Sequence, residues 1–144
     1  MGITLKEYQD YLVENKSLVL ATVTENCTPN LRHIGAYNVD GTDIVFQTKK
    51  DTAKATEINN NSNVAAIFQH EGQSGLKNIT VYGQAELLEL DKADKAVELI
   101  KERRPQFQYN SELNNIYKIR VQQIKKLDFS LDEKVQLIDV AQLA

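Results

Sequence analysis

The stretch that most constrains the fold is Leu18 to Thr24, an apolar run near the N-terminus. Its residues are apolar at both odd and even positions, and this pattern is typical of a strand whose two faces are both buried. The run is far shorter than the roughly 20 apolar residues that a membrane-spanning helix needs. It therefore predicts a central strand in a sheet that is covered on both sides.

Further strand-like segments follow, and turn signals separate them at short intervals. Asn26 to Pro29 predicts a turn, after which Asn30 to Val39 returns as a second strand. Asp40-Gly41 predicts a hairpin turn, because both central residues of such a turn need positive φ, and Ile44 to Thr48 is then the third strand. Connections this short join antiparallel neighbours. The later predicted strands are Val64 to Gln69, Ile79 to Leu87 and Tyr117 to Leu131, with Val135 to Val140 left open as a seventh.

Three helices interrupt or flank these strands. Thr4-Leu5-Lys6-Glu7 has the pattern of a capping box and predicts a helix over about 4–15. A short helix follows Thr52, and Asp91 is the predicted cap of a helix that ends before Pro105. Gly83, inside the fifth strand, predicts a bulge. The sequence thus predicts an α+β fold, with six or seven antiparallel strands around a small barrel and a single domain over residues 1–144.

Composition and missing motifs exclude several classes of function. A net charge of −3 argues against a nucleic-acid-binding surface. The lone Cys27 cannot form an internal disulfide, and with no apolar signal at the N-terminus this favours a cytoplasmic protein. His33 and His70 have no second ligand at metal spacing, so no metal site is expected. Glycine-rich nucleotide-binding loops and a nucleophile elbow are also absent from the sequence.

An anion site is the one constellation that the residues themselves suggest. Around Thr48 and Thr52 a strand runs through a polar turn into a helix, whose N-terminus offers unpaired N–H groups and a partial positive charge. Lys54 lies in the first helical turn, and Arg32 occupies an otherwise apolar strand face and needs an anionic partner. The plainer alternatives remain open: a capping threonine, a solvated lysine, and a salt bridge from Arg32 to a nearby carboxylate.

A series of segments in fixed order resembles one known family. The segments are Arg32-His33-Ile34-Gly35-Ala36-Tyr37, Asp40-Gly41, Val45-Phe46-Gln47-Thr48, Thr52-Ala53-Lys54, Ile58-Asn59-Asn60, Val64-Ala65-Ala66-Ile67-Phe68 and Val81-Tyr82-Gly83-Gln84-Ala85-Glu86. Over about residues 5–130 the chain resembles the pyridoxamine 5′-phosphate oxidase-like family of FMN-binding split barrels. The resemblance implies a split β-barrel that forms a homodimer, with FMN at the subunit interface.

The resemblance also implies roles for individual residues. The strand that contains Arg32, His33, Ile34, Gly35 and Tyr37 would line the phosphate and the flavin ring. The remaining implied cofactor-binding residues are Gln47 and Thr48 at the flavin or ribityl chain, Thr52 and Lys54 at the phosphate, and Asn78 at the ring. The implied function is that of an FMN-dependent oxidoreductase, which passes electrons between a small-molecule donor and an acceptor. No catalytic residue is indicated by the sequence.

Departures from the family pattern leave other functions open. Ala53 stands where many members carry an arginine, and Tyr37 stands where the biosynthetic oxidase has a lysine. The chain has no tryptophan, and no arginine or histidine follows Arg120, so oxidation of pyridoxamine phosphate is not expected. One alternative is a non-catalytic flavin- or haem-binding protein for sensing or storage, with His33 or His70 as the axial ligand of the haem. Another is a dimer whose cofactor site has decayed.

Overall fold

A computed structural model describes residues 3–69 and 77–143. Within these residues it has three α-helices, eight strands and one 3-10 helix. In chain order the elements are α1 (Leu5–Val13), β1 (Leu18–Val23), β2 (Pro29–Ile34), β3 (Tyr37–Asp40), β4 (Asp43–Lys49), α2 (Ala53–Asn60), β5 (Asn63–Phe68), β6 (Lys77–Leu88), α3 (Leu90–Arg103), β7 (Asn114–Asp128), β8 (Val135–Asp139) and the 3-10 helix Val140–Gln142.

All eight strands belong to one antiparallel sheet of order β2-β1-β5-β6-β7-β4-β3, and β8 pairs with β7 outside this path. The first and last strands of that order, β2 and β3, are consecutive in the chain, with only Gly35 and Ala36 between them. The sheet must therefore curl until its two ends nearly meet. This confirms the α+β fold with an antiparallel split β-barrel and flanking helices.

The predicted second strand, Asn30 to Val39, is the main error in the sequence-based fold. It is two strands, β2 and β3, which raises the count to eight rather than six or seven. At the break the carbonyl of Gly35 leaves the ladder and accepts hydrogen bonds from the N–H of Tyr37 and from the guanidinium of Arg103, which is distant in the sequence. Beyond the break the chain pairs with β4 instead of β1.

The two faces of the sheet carry two apolar clusters. The larger one fills the barrel interior, where α1 closes one side, and it includes the buried rings of Tyr8, Tyr37 and Phe68. The smaller one packs α3 against β4 and β7, around Val45 and Ile116. Strand β1 differs from its prediction: alternate residues are buried and the others are only half-buried, so just one of its faces belongs to the core.

The predicted bulge at Gly83 is present. The register between β6 and β7 shifts there, since Tyr82 lies opposite Gln123 while Gly83 lies opposite Val121. Gln122 is thus the extra residue. A Cβ on Gly83 would overlap the carbonyl oxygen of Arg120 on the neighbouring strand. Glycine is therefore the residue that lets the two longest strands approach at the point where they bend.

The helix caps agree with the sequence in one case and not in another. Thr4 caps α1, and its hydroxyl accepts the N–H of Glu7 at 3.1 Å, as the capping box predicts. Asp91 was the predicted cap of α3, and this is wrong, because the cap is Glu89 and Asp91 lies inside the first turn. There its charge can still interact favourably with the positive end of the helix.

Candidate functional site

The α2 end of the barrel brings several of the predicted site residues together. Helix α2 packs against β1 and β4. Arg32 on β2 lies opposite Leu20 on β1 and so shares the interior face of the barrel. On β4, Thr48 continues the interior face of Ile44 and Phe46. We refer to Arg32, Thr48, Lys49, Thr52 and Lys54 as the basic cluster.

Arg32 is held within the basic cluster by two partners. Its guanidinium donates to the hydroxyl of Thr22 at 2.6 Å and pairs with the carboxylate of Glu57 at 3.4 Å. Its side chain retains 21% exposure, and a single long contact to Glu57 leaves other N–H groups of the fork available. The single chain thus shows the salt bridge between Arg32 and a nearby carboxylate that was one of the alternatives. The guanidinium contacts the carboxylate through one nitrogen only, so the pairing is not bidentate.

The hydroxyl and ammonium groups of the basic cluster lie beside the start of α2. The Thr52 hydroxyl donates to the carbonyl of Lys49 at 2.8 Å and lies 3.3 Å from the hydroxyl of Thr48. The pKa of Lys54 is lowered, first by burial and then by the positive charges of Arg32 and Lys49. Mutual repulsion of this kind marks a place where positive charge is in excess, and a bound anion would relieve it.

Gln47 and Gly35 lie apart from the basic cluster, on the α3 side of the sheet. Gln47 alternates with Thr48, so its side chain points to the opposite face, and its Oε1 is buried without a hydrogen-bond partner among the described residues. Its backbone N–H donates to the carbonyl of Ala36. Beside Ala36 opens a cleft of about 740 Å³, which is lined by Val13, Glu14, Asn15, Lys16, Ala36, Arg103, Arg104, Pro105, Gln106 and Phe107.

Three further predicted residues occupy different environments. Ile34 and Tyr37 are buried in the interior core. The Tyr37 hydroxyl donates to the carbonyls of Leu12 and Asn15, and burial raises the pKa of Tyr37 to about 12. His33 is exposed on the outer face of β2, near the hydroxyl of Ser17. The prediction of one strand that contains both His33 and Tyr37 is wrong, because the chain leaves the β2 ladder between them.

Asn78 is set apart from the basic cluster within the sheet. Arg32 on β2 lies opposite Leu20, which lies opposite Ala66, which in turn lies opposite Val81 on β6. Asn78 is further along β6 than Val81, and strands β1 and β5 lie between β2 and β6. His70 lies outside the described residues.

Sequence reasoning missed two functional candidates. Glu57 resembled any polar residue of a short helix, yet it is buried and accepts hydrogen bonds from Thr22 and Asn30. Arg103 and Arg104 lie at the end of α3, and the structure places both along the cleft. The signal that could have indicated Glu57 was its position on the inner, buried face of α2. No pattern in the sequence indicated a function for the two arginines.

The described residues contain neither a cluster of metal ligands nor a helix that could span a membrane. In the ranges 3–69 and 77–143, no three His, Cys, Asp or Glu side chains lie close enough to hold a metal ion. None of the helices in these ranges is long and apolar enough to cross a membrane.

Comparison with known proteins identifies the family. The sequence profile of pyridoxamine 5′-phosphate oxidase matches residues 4–128, which is most of the chain. The chain belongs to this family. The match spans β1 to β7, so it includes the basic cluster, the bend at Gly35 and the cleft. No curated protein matches the sequence.

Solved structures of other proteins share the fold. A candidate pyridoxamine 5′-phosphate oxidase from Listeria innocua is 23% identical, with a TM-score of 0.68 over 82% of this chain and 93% of that one. A candidate 5-nitroimidazole antibiotic resistance protein from Bacteroides thetaiotaomicron is 12% identical, with a TM-score of 0.74 over 84% and 81%. A haem-binding protein from Mycobacterium smegmatis is 14% identical, with a TM-score of 0.74 over 98% and 60%. At these identities the likeness shows the fold alone.

Proposed function

We propose that the protein binds FMN and acts as an oxidoreductase on a small-molecule substrate. The observation that carries the proposal is the grouping of Arg32, Lys49 and Lys54 beside two hydroxyls at a helix N-terminus. Phosphate is the ligand for which such a donor set is suited. Family membership supports a flavin as the molecule that carries the phosphate.

The residues present fit FMN in two further respects. Thr48 and Thr52 have hydroxyls that can turn toward phosphate oxygens. Gln47 has a buried Oε1 that lacks a donor among the described residues, and a buried acceptor of this kind is costly unless a ligand or water supplies the missing hydrogen bond. The ribityl chain and the ring of FMN both carry donors. Ala53 is exposed and adds no charge, so the phosphate would depend on Arg32, Lys49 and Lys54.

In this proposal the protein binds FMN and fixes its orientation. FMN, when bound, supplies the chemistry that transfers electrons between donor and acceptor. Arg32 and Lys54 hold the phosphate by charge-assisted hydrogen bonds. The cleft beside Ala36 provides space for a small molecule, with Arg103 and Arg104 along its wall.

A homodimer is part of the same proposal. Two strands separate the strand of Asn78 from the strand of Arg32, and we propose that a second chain brings an Asn78 to the ligand. Large apolar side chains are exposed on the described surface, with Leu31 71%, Leu137 63% and Phe129 51% exposed. We expect sedimentation at micromolar concentration to give a dimer. A stable monomer would contradict this part of the proposal.

The phosphate contacts can be tested by removing one cation at a time. Lys54→Ala and Arg32→Ala are each expected to weaken FMN binding by about 1.5–3 kcal/mol, because each loses a charge-assisted hydrogen bond. Titration of FMN fluorescence gives the dissociation constants. Riboflavin, which lacks the phosphate, should bind the variants and the wild type alike.

Lys101→Ala is the matched control for these variants. It removes the same charge from an exposed position on α3, outside the basic cluster, and should leave FMN binding unchanged. Wild-type affinity for FMN in both Lys54→Ala and Arg32→Ala would show that the phosphate is bound elsewhere. A wild-type protein that is colourless and does not bind added FMN would refute the proposed function.

Haem binding is the second candidate function. One observation favours it: the imidazole of His33 is exposed on β2 and could serve as an axial ligand, and a haem-binding protein shares the fold. The visible spectrum separates the two candidates, since a bound haem gives a Soret band and a bound flavin does not. His33→Ala should abolish that band if His33 ligates the iron.

A further inference from the structure

Glu57 is a charged group that the proposed FMN site does not yet explain. It lies on the inner face of α2, one turn after Lys54, and its side chain is 10% exposed. A carboxylate beside a phosphate site opposes the binding of that phosphate. A carboxylate at this position must therefore favour phosphate binding in some other way, which offsets its repulsion of the phosphate.

Neutral groups, rather than Arg32, fix the Glu57 carboxylate. The Thr22 hydroxyl donates to it at 2.6 Å, and the Asn30 amide donates to its two oxygens at 2.9 and 3.2 Å. The pKa of Glu57 is lowered chiefly by Thr22, with Asn30 and Arg32 adding to the effect. The negative charge is thus held in place even if Arg32 turns toward a ligand.

Arg32 in turn depends on this carboxylate for its position. One guanidinium nitrogen donates to Thr22, which is itself bound to Glu57, and the other contacts Glu57 directly at 3.4 Å. Without Glu57, neither the Thr22 hydroxyl nor the guanidinium has a fixed orientation. The carboxylate therefore orients Arg32 both directly and through the Thr22 hydroxyl.

The charged side chains of the basic cluster and Glu57 together have a net positive charge. Arg32, Lys49 and Lys54 contribute three positive charges, and Glu57 removes one, which leaves two. The exposed pair Lys50 and Asp51 cancels. A phosphate monoester carries about −1.5 to −2 at pH 7, so the remaining charge matches that of the ligand.

We propose that Glu57 is a fixed counter-ion of the FMN phosphate site, which orients Arg32 by hydrogen bonding and limits the positive charge to that of one phosphate monoester. The inference rests on the proposed function and assigns a positioning residue within it. Two effects of Glu57 follow. Its oxygen atoms favour binding by orienting Arg32, and its charge opposes binding of the phosphate.

Two substitutions of Glu57 distinguish its orienting effect on Arg32 from the effect of its charge. Glu57→Gln keeps an acceptor oxygen for Thr22 and Arg32 but removes the charge, so it should bind FMN roughly tenfold more tightly than the wild type. Glu57→Ala removes both, so it should bind FMN several-fold more weakly than Glu57→Gln. Riboflavin affinity should be equal in all three proteins, because it has no phosphate to respond to the charge.

Glu86→Gln is the matched control. Glu86 pairs with Arg120 on the exposed side of β6 and β7, and loss of its charge should leave FMN affinity unchanged. Circular dichroism and thermal melting establish that each variant is folded, and Glu57→Asn, which is also uncharged, replaces Glu57→Gln if that protein does not fold. FMN affinity in Glu57→Gln equal to or weaker than wild type would overturn the inference, as would an equal change for riboflavin. A wild type that binds no FMN would instead refute the proposed function itself.

Discussion

Gly83→Ala is expected to destabilise the protein by about 3 kcal/mol, the upper part of the usual range for a side chain forced into a packed region. The added Cβ would overlap the backbone carbonyl of Arg120, which cannot turn away as a flexible side chain could. Relief requires β6 and β7 to separate at the bulge, where Tyr82 and Gln123 end one register and Val121 begins the next. Urea unfolding followed by circular dichroism measures the loss.

Gly41→Ala is the matched comparison for this glycine. Gly41 has a φ of +63°, but nothing lies within 4 Å of its Cβ position. The cost there comes only from the left-handed backbone, which is about 1–2 kcal/mol for an L-residue. If Gly83→Ala proves no more destabilising than Gly41→Ala, the close approach of the two strands is not a constraint on the fold.

Arg103→Ala is the second substitution with a large expected effect, again about 3 kcal/mol of stability. The Arg103 guanidinium packs 3.8 Å from the ring centre of Tyr37. It donates to the carbonyls of Gly35 at 2.8 Å and of Val13 at 3.2 Å, and also to that of Asn15. Alanine would leave these half-buried acceptors without their donor, and each such loss costs about 1–3 kcal/mol at a fully buried site.

Arg104→Ala provides the control from the next position. Arg104 is exposed and makes one hydrogen bond, to the carbonyl of Lys16, so its removal should cost about 1 kcal/mol or less. Arg103→Lys should not restore stability, because an ammonium group cannot reproduce the planar fork over Tyr37. Equal melting temperatures for Arg103→Ala and Arg104→Ala would show that Arg103 does not join α3 to α1 and the Gly35 bend.

The sequence was sufficient for most of the fold, because strand periodicity and turn residues are local signals. The alternation is present from Ile79 to Ala85 and ends before Leu87, which is exposed. The hairpin turn is also present, but its central residues are Gly41 and Thr42, because Asp40 pairs with Asp43 and only Gly41 has positive φ. The break after Ile34 could not be predicted in the same way. It depends on Arg103, a residue about 70 positions away in the chain, and a local pattern does not contain such contacts.

The candidate site was predictable where one element supplies it. Thr48, Thr52 and Lys54 lie on a single strand-turn-helix unit, and Arg32 joins them through the pairing of β2 with β1. Gln47 separates from Thr48 because successive strand residues point to opposite faces. Glu57 could not be singled out, since its importance comes from Thr22 and Asn30, two residues on other elements.

The bend at Gly35 and Ala36 also affects how the protein opens. Only two residues join β2 to β3, the two edge strands of the sheet. Separation of one of these strands from its neighbour therefore displaces the other. The two edges, which lie far apart in the order of the sheet, therefore form one cooperative unit for local unfolding. Arg32 lies on one of these edge strands, so the stability of its position depends on hydrogen bonds at the far edge as well as on its own neighbours.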